Sequence, residues 1–413
     1  MSSRWLGVLS LLALIIIAYV DRVNISVMLV NEDFLHHFNL IDNRALQGGL
    51  MTAFLVGYGL SAFFLTPLFE SQWGYRKGLL LSVLLWAVFT MISPLAGSLF
   101  ILFVIRILLG ISEGPLFSLK TMYIKDHFAD NELGKPNAVS SLGISLGLVL
   151  GFPIVTYLMN QFGWKESFYI LGLLNLIVGI SLIYFFIDKP QRVSLLENSQ
   201  IKKGILSSTL ETFKLAWKTP LLGWIILVEI ATLSYLWGSS SWLPSYLTKE
   251  HGFSIKEMGF ISSLPFIVSI LSKYAGGAFL DKINKQHAAI AFIIGGFFTA
   301  ISMAVVVFAE DKYLIAICLL AANAFWGFQG AAIPTIIQHQ AHPQSVGSAY
   351  GVINGIGNTF AALIPFIMGI VIQQYASISS GFFVLIISQI LTCIAGLGLW
   401  IRMKSKQPIA TLW

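Results

Sequence analysis

Residues 5–30 read WLGVLSLLALIIIAYVDRVNISVMLV, and this stretch decides how the rest of the chain is interpreted. Its apolar part is long enough to cross the roughly 30 Å of hydrocarbon in a bilayer as a helix. It nevertheless contains two adjacent charges, Asp21 and Arg22. An ionised side chain in the middle of a membrane helix costs at least ~2.5 kcal/mol, so such residues are candidates for function.

The whole chain is as apolar in composition as a membrane protein, in line with its first 30 residues. The 413 residues are 56% hydrophobic and 11% charged, with a mean hydropathy of +0.81, whereas soluble domains are ~45–50% apolar. We therefore predict a multi-pass membrane protein whose first apolar run is retained as a membrane helix. The net charge is +6, and the basic residues lie mainly in the loops between the apolar runs. They do not cluster with aromatic residues on a polar surface, which argues against nucleic-acid binding.

The sequence offers little for catalysis or for metal binding. The two cysteines, Cys318 and Cys393, both fall within apolar runs, so neither a disulfide nor a metal site is predicted. We find no ATP-binding loop and no constellation of a nucleophile with its base. These observations predict a protein that is not an enzyme.

Apolar runs bounded by polar residues or by Gly and Pro predict twelve membrane-spanning helices. They lie near residues 5–30, 46–70, 77–96, 98–122, 137–159, 165–187, 220–246, 258–280, 287–308, 313–337, 346–373 and 380–402. Lys and Arg are concentrated in the loops on the side that both termini share. By the positive-inside rule that side is the cytoplasm.

The longest polar stretch separates six of these helices from the other six. It predicts an N-terminal bundle at residues 1–187, a cytoplasmic linker at 188–219 and a C-terminal bundle at 220–413. Both halves carry a related signal after their second helix, GGAFLDK at residues 276–282 and a degraded copy, PLFESQWGYRK, at residues 67–77. Repeated halves are typical of secondary transporters.

Five segments resemble the anion:cation symporter family of the major facilitator superfamily, and the GGAFLDK element resembles the loop motif of that superfamily. In chain order the segments are YVDRVNISV, RILLGISEGPLF, FGWKESFYILG, WLPSYLTKEHGFS and GVINGIGNTFAALIPFIMG. The family includes bacterial carriers of sugar acids such as galactonate and hexuronates, and vesicular carriers of glutamate and sialic acid. The resemblance implies an all-α membrane fold with two pseudo-symmetric six-helix bundles.

The resemblance also implies roles for individual residues. The acids that match its proton-coupling positions are Asp21 and Glu113, and the arginines that match its anion-binding or charge-pairing positions are Arg22 and Arg106. Tyr58 matches a position implicated in substrate contact. The loop residues that match its conformational gating motif are Gly277, Asp281 and Lys282.

The spacing of the charges suggests how they act. Arg106, Glu113 and Lys120 are seven residues apart, so they share one face of the fourth helix. Our hypothesis is that Asp21 pairs with Arg106 and Glu113 with Arg22, and that the two acids take up protons. Protonating an acid would free its arginine to bind a substrate carboxylate. A purely structural network between helices is the alternative.

Other polar residues in the helices are weaker candidates. For the substrate site they are Trp237, Gln329 and Asn354, with Asn358 one turn beyond Asn354 as a secondary candidate. The two asparagines can bind hydroxyls or a carboxylate, or they can form hydrogen bonds between helices.

Three further charges are secondary candidates. Glu229 and Lys273 either pair with each other or adapt the site to a particular solute. Lys120 either serves the site or extends to the cytoplasmic interface. The glycine series Gly143, Gly147 and Gly151 predicts close helix packing.

Together these features predict a monomeric carrier of the bacterial inner membrane that imports an organic anion with protons by alternating access. The proton gradient is the energy source and no cofactor is required. A sugar acid is the leading substrate class, and a polycarboxylate such as a metal chelator stays open. The alternatives are a proton-coupled exporter of drugs or metabolites and a membrane receptor that senses a solute.

Overall fold

The computed structural model describes residues 3–65, 74–128, 134–188, 213–283, 285–341 and 346–405. Within these ranges the chain is helical and has no strand, as predicted, and ten stretches are long and apolar enough to cross a membrane. Joining consecutive helices across short breaks gives twelve spans in chain order. The spans are Ser3–Met28, Arg44–Phe64, Gly74–Ile92, Leu99–Glu113 with Leu116–His127, Gly134–Phe162, Trp164–Leu174 with Ile180–Phe186, Leu222–Ser245, Ile255–Ile261 with Leu264–Lys282, Ile290–Phe308, Lys312–Phe328 with Ala332–Gln340, Val346–Ala361 with Ile364–Tyr375, and Ile378–Ser405. A short helix, Glu32–His37, follows the first span.

Several spans are interrupted, and the interruptions have local causes. The fourth span breaks before Pro115, which has no backbone N–H and clashes with the carbonyl one turn earlier. The sixth span contains a π-helical turn at Asn175–Gly179, and such turns are frequent at functional sites. The tenth span is broken by a 3-10 turn at Gln329–Ala331. Breaks of this kind change the direction in which the neighbouring side chains point.

The chain divides into two compact units. The N-terminal unit comprises Met1–Ile205 with Ser241–Ser263, and the C-terminal unit comprises Leu206–Ser240 with Leu264–Trp413. The outer part of the seventh span and the start of the eighth therefore belong to the N-terminal unit. Most of the predicted linker, residues 189–212, lies outside the described residues, and the predicted domain limits stay a prediction.

Glycines bring two pairs of spans into close contact inside the N-terminal unit. Cβ atoms built on Gly143, Gly147 and Gly151 of the fifth span would lie 2.5–2.8 Å from side chains of the first span. A Cβ on Gly110 of the fourth span would collide with the carbonyl oxygen of Phe54 in the second span. The absence of side chains at these points lets the first span, which carries Asp21 and Arg22, approach the fifth span closely, and lets the second span approach the fourth.

Replacing Gly110 with alanine is expected to destabilise the folded protein by about 1–3 kcal/mol or more, the usual cost of overpacking. The added Cβ would meet backbone atoms of Phe54, which cannot move as a side-chain end can. Gly351→Ala is the matched control, because Gly351 also lies within a helix but has open space around its Cβ position. Thermal unfolding of the two purified variants in one detergent measures the difference. Equal melting temperatures for both would contradict the close contact at Gly110.

Candidate functional site

A buried ion pair joins the first and fourth spans in the N-terminal unit. Arg22 Nε donates to Glu113 Oε2 at 2.9 Å, and the two side chains are 1% and 0% exposed. The predicted Arg22–Glu113 pair is therefore present. Glu113 Oε1 has no hydrogen-bond partner among the described residues, so half of this carboxylate is not satisfied by the protein.

Aromatic rings hold the Arg22 guanidinium in place. Its Cζ lies 4.4 Å from the centre of the Tyr19 ring and 4.5 Å from that of Tyr58, and Phe54 is 5.4 Å away. A planar guanidinium stacks on aromatic faces and is attracted by their quadrupole, more so where water is excluded. Tyr58, predicted as a substrate contact, therefore packs directly against the Arg22 guanidinium.

The second buried arginine lies beside the same phenylalanine. Arg106 Nε donates to the carbonyl oxygen of Leu50 at 3.3 Å, and its Cζ lies 4.9 Å from the Phe54 ring centre. Arg106 Nη2 is buried and has no hydrogen-bond partner among the described residues. A buried charged donor without a partner is costly and normally finds water, an ion or a ligand.

Asp21 makes contacts that the sequence did not predict. Its Oδ2 atom accepts hydrogen bonds from Thr90 Oγ1 at 2.7 Å and from Asn175 Nδ2 at 3.1 Å. The expected contact pair between Asp21 and Arg106 is wrong for this conformation, since these two described residues form no ion pair within 4 Å. The physical reason is that donors from the third and sixth spans already occupy Asp21, and the π turn begins at Asn175.

The four charges of the N-terminal unit balance each other. Asp21, Arg22, Arg106 and Glu113 are each at most 3% exposed, and together they carry two positive and two negative charges when ionised. A proton added to either carboxyl leaves one arginine charge without compensation. A buried uncompensated cation recruits an anion, and a carboxylate matches the geometry of a guanidinium. The arrangement can therefore bind an anion when a proton is bound.

The C-terminal unit contains a chain of polar side chains with a carboxyl at one end. Trp237 Nε1 donates to Asn358 Oδ1 at 3.0 Å, Asn358 Nδ2 donates to Asn354 Oδ1 at 3.1 Å, and Asn354 Nδ2 donates to Glu229 Oε1 at 3.0 Å. The structure brings together four of the predicted candidates. The described residues Glu229 and Lys273 form no ion pair within 4 Å, so the pairing, one of the two alternatives for these residues, is wrong for this conformation; Glu229 contacts Asn354 instead.

The remaining candidates of the helices have other partners. Gln329 Nε2 donates to Gln389 Oε1 at 3.2 Å, and Lys273 Nζ lies 5.4 Å from the centre of the Trp326 ring. Lys120 is only 6% exposed, with Nζ 5.5 Å from the Phe117 ring centre, and both alternatives for it stay predictions.

Besides the aromatic residues Tyr19 and Phe54, three polar residues at these sites were missed from the sequence. They are Thr90, Asn175 and Gln389. A polar side chain within an apolar run was the only signal that could have found them.

The predicted gating loop is described in part. Gly277 has open space around its Cβ position, and Lys282 is exposed at the end of the eighth span. The side chain of Asp281 lies outside what the structure describes. In the degraded first copy, residues 67–73 also lie outside the described ranges, while Arg76 Nη2 donates to the carbonyl oxygen of Tyr184 at 2.8 Å.

Comparison with known proteins gives consistent matches. The family model described as the Major Facilitator Superfamily matches residues 11–365. A hexuronate transporter of Bacillus subtilis (strain 168) is 26% identical over 386 residues, which cover 89% of this chain and 87% of that protein. A probable sulfoacetate transporter of Cupriavidus necator is 31% identical over 292 residues, covering 68% of this chain and 65% of that protein.

Solved structures share the fold. The crystal structure of a D-xylose-proton symporter superposes with a TM-score of 0.77 and 16% sequence identity, covering 98% of this chain and 100% of that chain. A bacterial homolog of the human lysosomal transporter Spinster, inward-facing and unoccupied, gives a TM-score of 0.75 at 16% identity, with 98% of both chains covered. At such low identity the likeness concerns the fold alone.

Proposed function

This chain belongs to the major facilitator superfamily, and from that premise we propose that it is a proton-coupled importer of an organic anion, with a sugar acid as the leading substrate class. The matching family and its curated relatives are transporters, so the protein is a transporter and not an enzyme. The relatives carry the names of transporters for hexuronate, galactarate or D-glucarate, and D-galactonate. Anionic sugar derivatives are common to those names.

The observation that carries the proposal is the buried Arg22–Glu113 pair with its aromatic surroundings. An arginine held between Tyr19 and Tyr58 is positioned before any solute arrives, which lowers the entropy lost on binding. Glu113 presents Oε1 without a hydrogen-bond partner among the described residues, so a proton can bind there while Oε2 still faces Arg22. Binding of the proton removes the charge that competes with a solute carboxylate for the guanidinium.

Arg106 and Asp21 have supporting roles in the proposal. Arg106 offers the unpartnered Nη2 donor, which suits a second anionic or hydroxyl oxygen of the solute. Asp21 is the second proton carrier, held by Thr90 and Asn175 until the transporter changes conformation. Transport then follows alternating access, with the proton gradient as the source of energy.

The remaining parts of the proposal concern the setting of the protein. It acts as a monomer in a bacterial inner membrane, with both termini in the cytoplasm, as the distribution of Lys and Arg favours. The loop at Gly277, Asp281 and Lys282 takes part in the conformational change. Trp237, Gln329, Asn354 and Asn358 contribute to the substrate site in the C-terminal unit.

Uptake into proteoliposomes tests the proposal. We expect radiolabelled glucuronate, galactonate or galactarate to accumulate when the outside is more acidic than the inside, and a protonophore to abolish accumulation but not counterflow. Citrate in the same panel tests a polycarboxylate substrate, which the buried Lys120 and the half-buried Lys273 favour. Transport of a lipophilic cation without any of these anions would instead identify an exporter. Binding without counterflow would identify a receptor.

A further inference from the structure

In the C-terminal unit, the hydrogen bonds that link Trp237, Asn358, Asn354 and Glu229 have a direction that the tryptophan determines. An indole N–H can only donate, so Asn358 must present its carbonyl oxygen to Trp237 and its amide nitrogen to Asn354. Asn354 in turn accepts with its oxygen and donates with its nitrogen. Its N–H is therefore directed at Glu229. An amide nitrogen has two hydrogens, and the second one of Asn354 is available to a solute, since this side chain is half-buried.

Glu229 has little compensation for a negative charge. Its Oε1 atom accepts the single bond from Asn354, while Oε2 makes no hydrogen bond to any described residue, and the residue is 6% exposed. A Cβ on Gly357 would lie 2.5 Å from Glu229 Cγ, so the eleventh span packs directly against it. Within this described helix, Val346–Ala361, the one titratable side chain is Tyr350, which is exposed.

The other titratable groups on elements packed against the seventh span have different partners. Lys273 stacks over Trp326, whose indole donates to the carbonyl of Thr232, and Arg402 stacks over Trp224. On the seventh span itself, the hydroxyl of Tyr235 accepts a hydrogen bond from Asn323. None of these described groups forms an ion pair with Glu229.

We propose that Glu229 is a proton-binding carboxyl of the C-terminal unit, which takes up its proton when a solute oxygen binds to the free N–H of Asn354. This inference rests on the proposed function. An ionised Glu229 would repel a solute carboxylate or compete for the same amide, because like charges a few ångströms apart disfavour each other. With a proton from water on Oε2, the acid becomes a hydrogen-bond donor to the solute. When the solute leaves, the same proton returns to water.

This role differs from that of Glu113, which has an arginine as its partner. Glu229 has an amide, so its proton is coupled to the occupancy of Asn354 and not to the release of a cation. The protein would then carry one proton-binding site of this type in addition to those of the N-terminal unit.

Proton uptake on solute binding tests the inference. Purified protein in weakly buffered detergent solution is mixed with saturating glucuronate, and in parallel with galactarate, while a pH indicator records protons taken up per solute bound. Glu229→Gln should take up one proton fewer than the wild type, because the amide keeps the acceptor for Asn354 but cannot titrate. Glu310→Gln, an exposed loop residue, is the matched control and should behave as the wild type.

The possible outcomes are distinguishable. Equal proton uptake above zero by the wild type and Glu229→Gln overturns the role of Glu229 and leaves the proposed function intact. No uptake by the wild type with bound solute overturns proton coupling itself. Asn354→Ala gives an independent measurement: we expect about tenfold weaker solute binding and proton uptake reduced to the level of Glu229→Gln. Proton uptake at the wild-type level in that variant would also refute the link between the two residues.

Discussion

Replacing Arg22 with alanine is expected to reduce anion uptake at least 100-fold. The change removes the planar cation stacked between Tyr19 and Tyr58 and leaves Glu113 buried without its partner. Truncating one partner of a buried, hydrogen-bonded charge pair between a protein and its ligand costs ~2–5 kcal/mol of binding free energy, and ~3 kcal/mol corresponds to a roughly 100-fold loss of binding. Initial rates of glucuronate or galactarate uptake into proteoliposomes, at equal amounts of reconstituted protein, measure the effect.

Two variants separate the role of the guanidinium from that of positive charge and of folding. Arg22→Lys keeps the charge but not the planar, two-pronged donor, and should recover only a small part of the activity. Arg402→Ala removes an exposed arginine at the end of the last span and should leave uptake close to that of the wild type. Uptake by Arg22→Ala within a few-fold of the wild type would show that Arg22 does not bind the anion.

The pairing of Arg22 with Glu113 was predictable because both charges lie deep in long apolar runs. A charge in such a position needs a compensating partner, and few are present in so apolar a sequence. The twelve spans were predictable for the same reason of apolar length, although the breaks at Pro115 and Gln329–Ala331 moved their limits.

The partners of Asp21 could not be predicted from the sequence. They depend on the π turn at Asn175, which has no sequence pattern of its own, and on the packing of the third span against the first. The contact of Arg106 with the Leu50 carbonyl depends on how closely the second and fourth spans approach at Gly110. The glycine is visible in the sequence, but the helix against which it packs is not.

In the C-terminal unit, too, the contacts between the candidate residues could not be predicted from the sequence. Four candidates there form one chain of hydrogen bonds, although they were chosen separately from the sequence. The Glu229–Lys273 pair, one of the two alternatives for these residues, does not form, because opposite charge alone does not bring two side chains together. A nearer amide, Asn354, supplies the contact that Glu229 makes.

Neutralising both acids of the N-terminal unit, by Asp21→Asn and Glu113→Gln together, is expected to abolish accumulation driven by a proton gradient while counterflow persists. The two amides keep the acceptor oxygens that Thr90, Asn175 and Arg22 use, so the local geometry can be retained. They cannot bind and release protons, and the proposed function assigns the coupling of the proton gradient to the solute to these two acids. The solute can still exchange across the membrane because the arginines remain.

Counterflow of labelled solute and concentrative uptake under an imposed pH gradient should be compared in the same vesicles. The wild type is expected to concentrate the solute at least tenfold, whereas the double variant should only equilibrate it. Asp33→Asn with Glu310→Gln is the matched control, because it makes the same two chemical changes at exposed residues. Accumulation by the Asp21→Asn and Glu113→Gln protein at the wild-type level would show that these two acids do not couple the proton gradient to transport.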